Sequence, residues 1–127
     1  MNAIRIAREL SAADPELSYV PVLWMATEDH DRDEIDHVFL EGQKIRWQGD
    51  VAGPVGRMPL AHIDQFLREV KDALGVSTNA RTLIRLIESC YRPEFTLAKA
   101  TRLFCHALFG DLGLLILDAD HRKLNNI

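Results

Sequence analysis

The chain has 127 residues, of which 47% are hydrophobic and 27% charged, and its formal net charge is -4. This length fits a single domain over residues 1–127 that buries a core of its own. The acidic balance and the scattered basic residues exclude the basic surface that nucleic acid requires. No stretch approaches the roughly 20 apolar residues that span a bilayer, so we expect a cytoplasmic protein without membrane contact.

The first two elements of the chain are a helix and a strand. Residues 3–13 place apolar side chains at helical spacing, which predicts a short amphipathic helix. Residues 19–26 form a continuous apolar run rich in valine and aromatic groups. Such a run is typical of a strand buried on both faces of a parallel sheet. The strand stops abruptly in four consecutive ionisable residues, 28–31.

The middle of the chain reads as a small hairpin followed by a loop. Residues 33–36 fit one helical turn, and residues 37–40 fit an extended segment. A second extended segment ends at Trp47, and Gly42 suits the turn between the two. Residues 49–59 hold three glycines and two prolines, which predicts a loop that carries Arg57.

Three helices and a second apolar strand complete the predicted order. The helical patterns cover residues 60–74, residues 82–91 and a segment that begins after Thr96, whose hydroxyl is a suitable N-cap. Gly110 is predicted to end the last helix in the left-handed conformation. Residues 113–118 predict a second buried strand, which again ends in acidic groups.

The order strand, helices, strand predicts an α/β fold with a partial parallel sheet flanked by helices and a small hairpin insertion. If the two strands lie side by side, their acidic ends open on the same edge of the sheet. In open α/β sheets, ligands bind beyond the carboxyl ends of the strands. Two strands alone do not make a stable parallel core, so the domain is predicted to be incomplete.

The run of Glu28, Asp29, His30 and Asp31 admits four interpretations. His30 could act as a general base, because histidine exchanges protons near neutral pH and a flanking carboxylate would orient its ring. The carboxylates could bind a substrate ammonium group, or with His37 they could hold a divalent metal. The run could also be a solvated acidic turn, which is common at strand ends.

The remaining candidates carry weaker signals. Arg57 could bind a carboxylate or phosphate through its planar guanidinium, or be an ordinary surface arginine. Asp118 and Asp120 could bind hydroxyl groups or cap the turn after the strand. The sequence contains neither GxxxxGK[ST] nor GxGxxG, so no phosphate-binding loop is predicted. Cys90 and Cys105 lack CxxC spacing and fit buried apolar positions.

Several segments together resemble the bacillithiol biosynthesis cysteine-adding enzymes, the BshC family. The first is the apolar run that leads through Glu28, Asp29, His30 and Asp31 to residues 34–38. It is followed by residues 54–57, by Thr96 and Leu97 at the start of a helix, by the LFGDLGL segment at 108–114, and by residues 117–120. The resemblance spans nearly the whole chain, and the first and fourth segments are specific in combination.

The resemblance implies a Rossmann-like core and a ligase that adds cysteine to glucosaminyl malate by amide formation. Members of the family are several times longer, so this chain would be a central fragment of their Rossmann-like domain, without the C-terminal coiled coil associated with a homodimer. By residue match the catalytic set is His30, Glu28 and Asp29. The substrate-binding set is Thr27, Asp31, Arg57 and Asp118. No metal is implied, and whether a nucleotide is consumed stays open.

Two rival functions remain open at this level. The chain could be a non-catalytic remnant or an interaction module that needs a partner chain to complete its sheet. It could also be a metal-dependent hydrolase that uses the acidic run, although no additional histidine lies at a helpful spacing.

Overall fold

The computed structural model describes residues 2–49 and 53–121, which form an α/β arrangement. In chain order the helices and strands are α1 (Asn2–Ala13), β1 (Val22–Met25), β2 (His37–Leu40), β3 (Gln43–Arg46), α2 (Ile63–Leu74), α3 (Thr78–Cys90), α4 (Leu97–Phe109) and β4 (Leu115–Asp118). Short 3-10 turns lie at Arg32–Glu34, Val55–Arg57 and Gly110–Leu112.

The first and last strands pair in parallel, as the order of elements predicts. The register joins Val22 to Leu115 and Met25 to Asp118, so both strands end at the same edge. The α/β class with a partial parallel sheet is confirmed. Helices α2, α3 and α4 lie between the two strands in sequence, and α4 contacts β4.

The prediction that both strands are buried on both faces is wrong. Side chains alternate between the faces of a strand, and the face that carries Met25 is the covered one, with Met25 only 8% exposed. The opposite face carries Trp24, which is 57% exposed, and Leu115, which is 55% exposed. Within residues 2–49 and 53–121, helix α4 packs against β4, and the apolar face that carries Trp24 and Leu115 is in contact with solvent.

The predicted hairpin is confirmed, with β2 and β3 antiparallel and Leu40 opposite Gln43. The two turn residues, Glu41 and Gly42, have φ angles of 50° and 78°. Positive φ at both central positions gives the turn a twist that matches the flanking strands.

The main apolar core lies between the hairpin and the helices. Leu60 and Ala100 are fully buried, and Ile63 and Trp47 are 2% and 3% exposed. The indole Nε1 of Trp47 donates a hydrogen bond to the Ala61 carbonyl at 3.0 Å, so the buried ring leaves no polar atom unpaired.

The start of α3 and the end of the segment that contains α4 differ from the sequence prediction. Helix α3 begins at Thr78, four residues before the predicted start, because the Ser77 hydroxyl accepts a hydrogen bond from the Ala80 amide at 3.1 Å. Gly110 is not a left-handed terminator, since it has right-handed angles and opens a 3-10 turn. Gly113, with φ at 85°, is the left-handed residue that ends this segment.

Candidate functional site

The carboxyl edge of the β1–β4 pair brings together residues that lie about 90 positions apart in the chain. Met25 pairs with Asp118 at the last step of the register. The loop after β1 carries the acidic run, and the loop after β4 carries Asp120. The predicted meeting of two acidic strand ends is therefore present in the fold.

Thr27 joins the two loops at this edge. Its side chain is buried, and its hydroxyl donates a short hydrogen bond to Oδ1 of Asp118. The same hydroxyl oxygen accepts a hydrogen bond from the Asp120 amide at 3.1 Å. Oδ1 of Asp118 also accepts from the Asp120 amide at 3.2 Å. The Thr27 and Asp118 side chains thus fix the edge through each other.

A third segment, the 3-10 turn Val55–Arg57, packs directly on the loop after β1. The Gly56 amide donates to the Thr27 carbonyl at 3.0 Å, and the Val55 amide donates to the Asp29 carbonyl at 2.8 Å. A Cβ atom on Gly56 would lie 2.4 Å from Cβ of Thr27. Only glycine permits this approach of the two backbones.

Arg57 forms a two-point ion pair with Asp120. Nε of Arg57 donates to Oδ2, and Nη2 donates to Oδ1 at 2.7 Å. The Arg57 side chain is 67% exposed, whereas the Asp120 side chain is 14% exposed. Hydrogen bonding and charge attraction from Asp120 raise the pKa of the Arg57 guanidinium. The arginine is therefore held in one orientation at the rim of the edge.

The acidic run forms a tight turn beside this network. Oδ1 of Asp29 accepts hydrogen bonds from the amides of His30 and Asp31, at 2.6 and 3.2 Å. All four residues of the run, including Glu28, are exposed. Asp29 thus shapes the turn with one carboxylate oxygen, and the side chains of the other three are accessible to small molecules in solution.

The structure places the seven predicted site residues at one edge, in two groups. Thr27, Asp118 and Arg57 belong to the network of contacts between the loops. The second group, Glu28 to Asp31, lies on the exposed turn that the network supports. Asp120, which the sequence suggests as a hydroxyl-binding group or a turn cap, completes the network through Arg57 and the Thr27 hydroxyl.

Metal binding through His37 is not supported by its surroundings. Nδ1 of His37 lies 3.0 Å from Oδ1 of Asp36, within a polar cluster next to the hairpin. Among residues 2–49 and 53–121, no group of three or more His, Cys, Asp or Glu side chains could hold a metal ion.

Asp36 is a buried carboxylate that sequence reasoning missed. It is 4% exposed, and its Oδ2 pairs with Nε of Arg46 at 2.9 Å. Burial raises its pKa, but the hydrogen bond from His37 and the charge and hydrogen bond of Arg46 outweigh burial, so the pKa is lowered overall. Its carbonyl accepts from the Trp47 amide at 2.7 Å. Asp36 directly precedes β2, and the hairpin register brings Arg46 next to it by pairing Arg46 with His37.

An apolar cavity of about 500 Å³ lies between the hairpin and helices α2, α3 and α4, and Asp36 is part of its lining. Phe66, Leu67, Ile87 and Phe104 are among its lining residues. Tyr91 also lines it, and burial raises the pKa of the Tyr91 phenol. None of the seven predicted site residues is part of this lining.

The helices of the described segments are too short or too polar to cross a lipid bilayer. This applies to residues 2–49 and 53–121.

Comparison with known proteins gives one consistent result. The family described as bacillithiol biosynthesis BshC, N-terminal Rossmann-like domain, matches residues 1–127. A BshC protein of Flavobacterium johnsoniae is 43% identical over 98% of this chain, and one of Flavobacterium psychrophilum is 40% identical over the same share. A BshC protein of Cytophaga hutchinsonii is 32% identical. The names of all three describe a candidate cysteine ligase.

The matches cover only part of these relatives. The chain spans 23% of the length of the two Flavobacterium proteins and 22% of the Cytophaga protein.

Proposed function

This chain belongs to the BshC family through its N-terminal Rossmann-like domain, and we propose that it supplies the site at which a ligase joins cysteine to glucosaminyl malate through an amide bond. The substrates are small molecules. We also propose that the protein acts in the cytoplasm and as a homodimer.

One observation carries the proposal: the carboxyl edge of the parallel pair holds an exposed, ionisable turn on a fixed support. Thr27, Asp118 and Asp120 tie together the two strand ends, and Arg57 is anchored beside them. Ligands of open α/β sheets bind at this kind of edge. Polar contacts that hold reactive groups in place lower the entropic part of the activation barrier, because the groups are ordered before the reaction begins.

The chemistry of amide formation sets two requirements. The ammonium group of the glucosaminyl unit must lose a proton before its nitrogen can attack, and the cysteine carboxyl must carry a leaving group, because a free carboxylate is a poor electrophile. As the carbon–nitrogen bond forms, the leaving group departs with its electron pair and the nitrogen releases its remaining extra proton to a base. The agent that activates the carboxyl stays open, and a nucleotide is one possibility.

His30 is the proposed base in this scheme. Its imidazole is exposed, and its backbone amide is held by Asp29 at 2.6 Å. Histidine exchanges protons near neutral pH, which suits removal of a proton from an amine. Asp29 acts by holding the His30 backbone in position, and Glu28 would stabilise the charged form of the imidazole, which passes its proton to water.

The proposed binding residues surround this base. Asp31 offers an exposed carboxylate for the cysteine ammonium group. Arg57 offers a charged planar group for a malate carboxylate. Asp120 engages one N–H of Nε and one of Nη2, the guanidinium has five N–H donors in all, and the side chain is largely exposed. Thr27 and the Asp120 amide both donate hydrogen bonds to Oδ1 of Asp118, so a substrate hydroxyl would be bound by Oδ2, with Thr27 fixing the carboxylate.

The test is product formation by a hybrid enzyme in which this chain replaces the matching part of the Flavobacterium johnsoniae protein. We expect His30→Gln to lower kcat by about 100-fold or more, the range that a general base contributes. Liquid chromatography with mass spectrometry measures the product.

The matched control is His106→Gln, at an exposed histidine on α4. The control should retain the kcat of the parent hybrid. A His30→Gln hybrid with the same kcat as the parent would remove His30 from the mechanism.

A further inference from the structure

The turn formed by residues 28–31, here called the acidic turn, is followed directly by a short segment that joins it to the hairpin. The Arg32 amide donates a hydrogen bond to the His30 carbonyl at 3.0 Å, and the Asp36 amide donates to the Arg32 carbonyl at 3.0 Å. The 3-10 turn Arg32–Glu34 lies between these two contacts. The backbone position of His30 therefore depends on the position of Asp36.

Asp36 is itself fixed from the side of the apolar core. Its carbonyl accepts a hydrogen bond from the Trp47 amide at 2.7 Å, and the Trp47 side chain belongs to the main core. The Asp36 carboxylate is buried, and a buried charge is tolerated only when it is paired. The group that pairs with this carboxylate thus sets the geometry of the connection between the core and the acidic turn.

Arg46 provides this pairing and also contacts the 3-10 turn. Nε of Arg46 lies 2.9 Å from Oδ2 of Asp36, and Nη2 lies 3.4 Å from Oδ1 of Asp33. Because the donors of a guanidinium form a rigid fork, one side chain holds two carboxylates of the segment at a defined separation. The Asp33 side chain is 88% exposed, so its pair with Arg46 adds little stability. Its main effect is on the position of the segment.

We propose that Arg46 is a positioning residue for His30 and acts through Asp36 and Asp33. The inference rests on the proposed role of His30 as the base. Asp29 holds the His30 amide, and the segment fixed by Arg46 holds the His30 carbonyl. A base must lie within hydrogen-bond reach of the proton that it removes, and a displacement of about 1 Å can lower a rate by about 100-fold.

The test compares Arg46→Gln with Lys44→Gln in the hybrid enzyme. Lys44 lies two residues from Arg46 on β3, so both side chains are on the same face of the hairpin. Both variants remove one positive charge. Nζ of Lys44 lies over the Phe39 ring, 5.7 Å from its centroid. Lys44→Gln is therefore the matched control for the loss of charge on this face.

The first readout is hydrogen–deuterium exchange followed by mass spectrometry, which requires no substrate. The amides of His30, Asp31 and Arg32 all donate hydrogen bonds in or next to the acidic turn. We expect Arg46→Gln to speed exchange in the peptide that contains these amides severalfold, and Lys44→Gln to leave it unchanged. Exchange in α2 should be equal in all three proteins. Equal exchange of the turn peptide in Arg46→Gln and the parent would overturn the proposal, whatever the activity.

The second readout is the steady-state kinetics of the same proteins. Arg46→Gln should lower kcat by about 10-fold or more and raise KM for cysteine, because Asp31, the proposed partner of its ammonium group, lies on the acidic turn. KM for glucosaminyl malate should stay unchanged, since Arg57 and Asp118 are held by contacts of their own. An equal rise of both KM values would assign Arg46 to general stability and overturn the proposal.

Arg46→Lys separates geometry from charge. Lysine keeps the positive charge but lacks the rigid fork, so this variant should resemble Arg46→Gln in both readouts. Full recovery of turn exchange and kcat by lysine would overturn the proposal. Faster exchange of the turn peptide in Arg46→Gln with an unchanged kcat would confirm that Arg46 positions His30 and would instead contradict the role of His30 as the base.

Discussion

The region around the hairpin and helices α2 and α4 is stabilised by burial, whereas the β1–β4 pair is stabilised at one edge by polar contacts. In the first region Leu60 and Ala100 are fully buried. In the second, Trp24 contacts solvent while Thr27, Asp118 and Asp120 share hydrogen bonds. Hydrogen bonds of a polar network require defined distances between donors and acceptors, whereas an apolar core is stabilised by close packing of its volume. The contacts at the edge therefore fix the positions of the loops, and the core supplies most of the stability.

The largest effect expected from this contrast is in the core. Leu60→Ala should lower the free energy of unfolding by about 2–5 kcal/mol, because it leaves a cavity at a fully buried site. Leu115→Ala, on the solvent-exposed face of the β1–β4 pair, should change the free energy of unfolding by no more than about 0.5 kcal/mol. Urea denaturation followed by circular dichroism measures both variants, and similar losses for the two would erase the distinction between the regions.

The second effect concerns the contact between the two loops of the edge. Gly56→Ala should cost about 1–3 kcal/mol, because its new Cβ meets Thr27 and forces the backbones apart. The same variant should lose product formation in the hybrid enzyme, since the turn that carries His30 moves with Thr27. Unchanged unfolding of Gly56→Ala would show that the two loops do not pack as described.

The third effect concerns the hydroxyl of Thr27. Thr27→Val keeps the shape of the side chain but removes the hydrogen bonds to Asp118 and Asp120, which should cost about 1–2 kcal/mol. A double-mutant cycle with Asp118→Ala isolates the pair, because alanine removes the acceptor oxygen. A coupling energy of zero would mean that the two side chains do not stabilise each other.

The smallest effect is a pH dependence at the hairpin. The pKa of Asp36 is lowered in the folded chain, so its ionised form stabilises the fold at neutral pH, and this contribution is lost as the pH falls through the lowered value. Since Arg46 is half exposed, solvent screening limits the contribution to about 1 kcal/mol.

Asp36→Asn should therefore be less stable than the wild type at pH 7, and the gap should close below about pH 4. Unfolding measured across this range provides the comparison. If the difference in unfolding free energy between the two proteins is the same at all pH values, the charge of Asp36 does not stabilise the fold.

The sequence predicts the local elements better than their environment. The hairpin at Gly42 and the N-cap at Thr96, whose hydroxyl accepts a hydrogen bond from the Lys99 amide at 3.3 Å, depend on local pattern and were confirmed. The parallel pairing of β1 and β4 follows from the order of the elements and was also confirmed. Burial of Trp24 depends on what lies across the sheet, and the apolar pattern of the strand cannot tell whether that neighbour is present. Gly110 was misassigned because a second glycine, Gly113, three residues later is the one with positive φ.

The site is predictable in part for the same reason. Residues that follow strand ends are readable from the pattern, so Thr27 and Asp118 could be placed at one edge. The pairing of Arg57 with Asp120 joins positions 63 residues apart, and no local signal in the chain specifies it. The buried pairing of Asp36 with Arg46 depends on the hairpin register and emerges only from the fold.

The most direct test of the proposed site is chemical labelling of histidines in the hybrid enzyme. Diethyl pyrocarbonate modifies accessible imidazoles, and mass spectrometry reports each position separately, so exposed His106 is a control within the same sample. Because the thiol and amino groups of the substrates also consume the reagent, the quantity compared is the ratio of His30 to His106 modification. We predict that cysteine and glucosaminyl malate together lower this ratio severalfold. If the ratio is the same with and without saturating substrates, the acidic turn is not where the substrates bind.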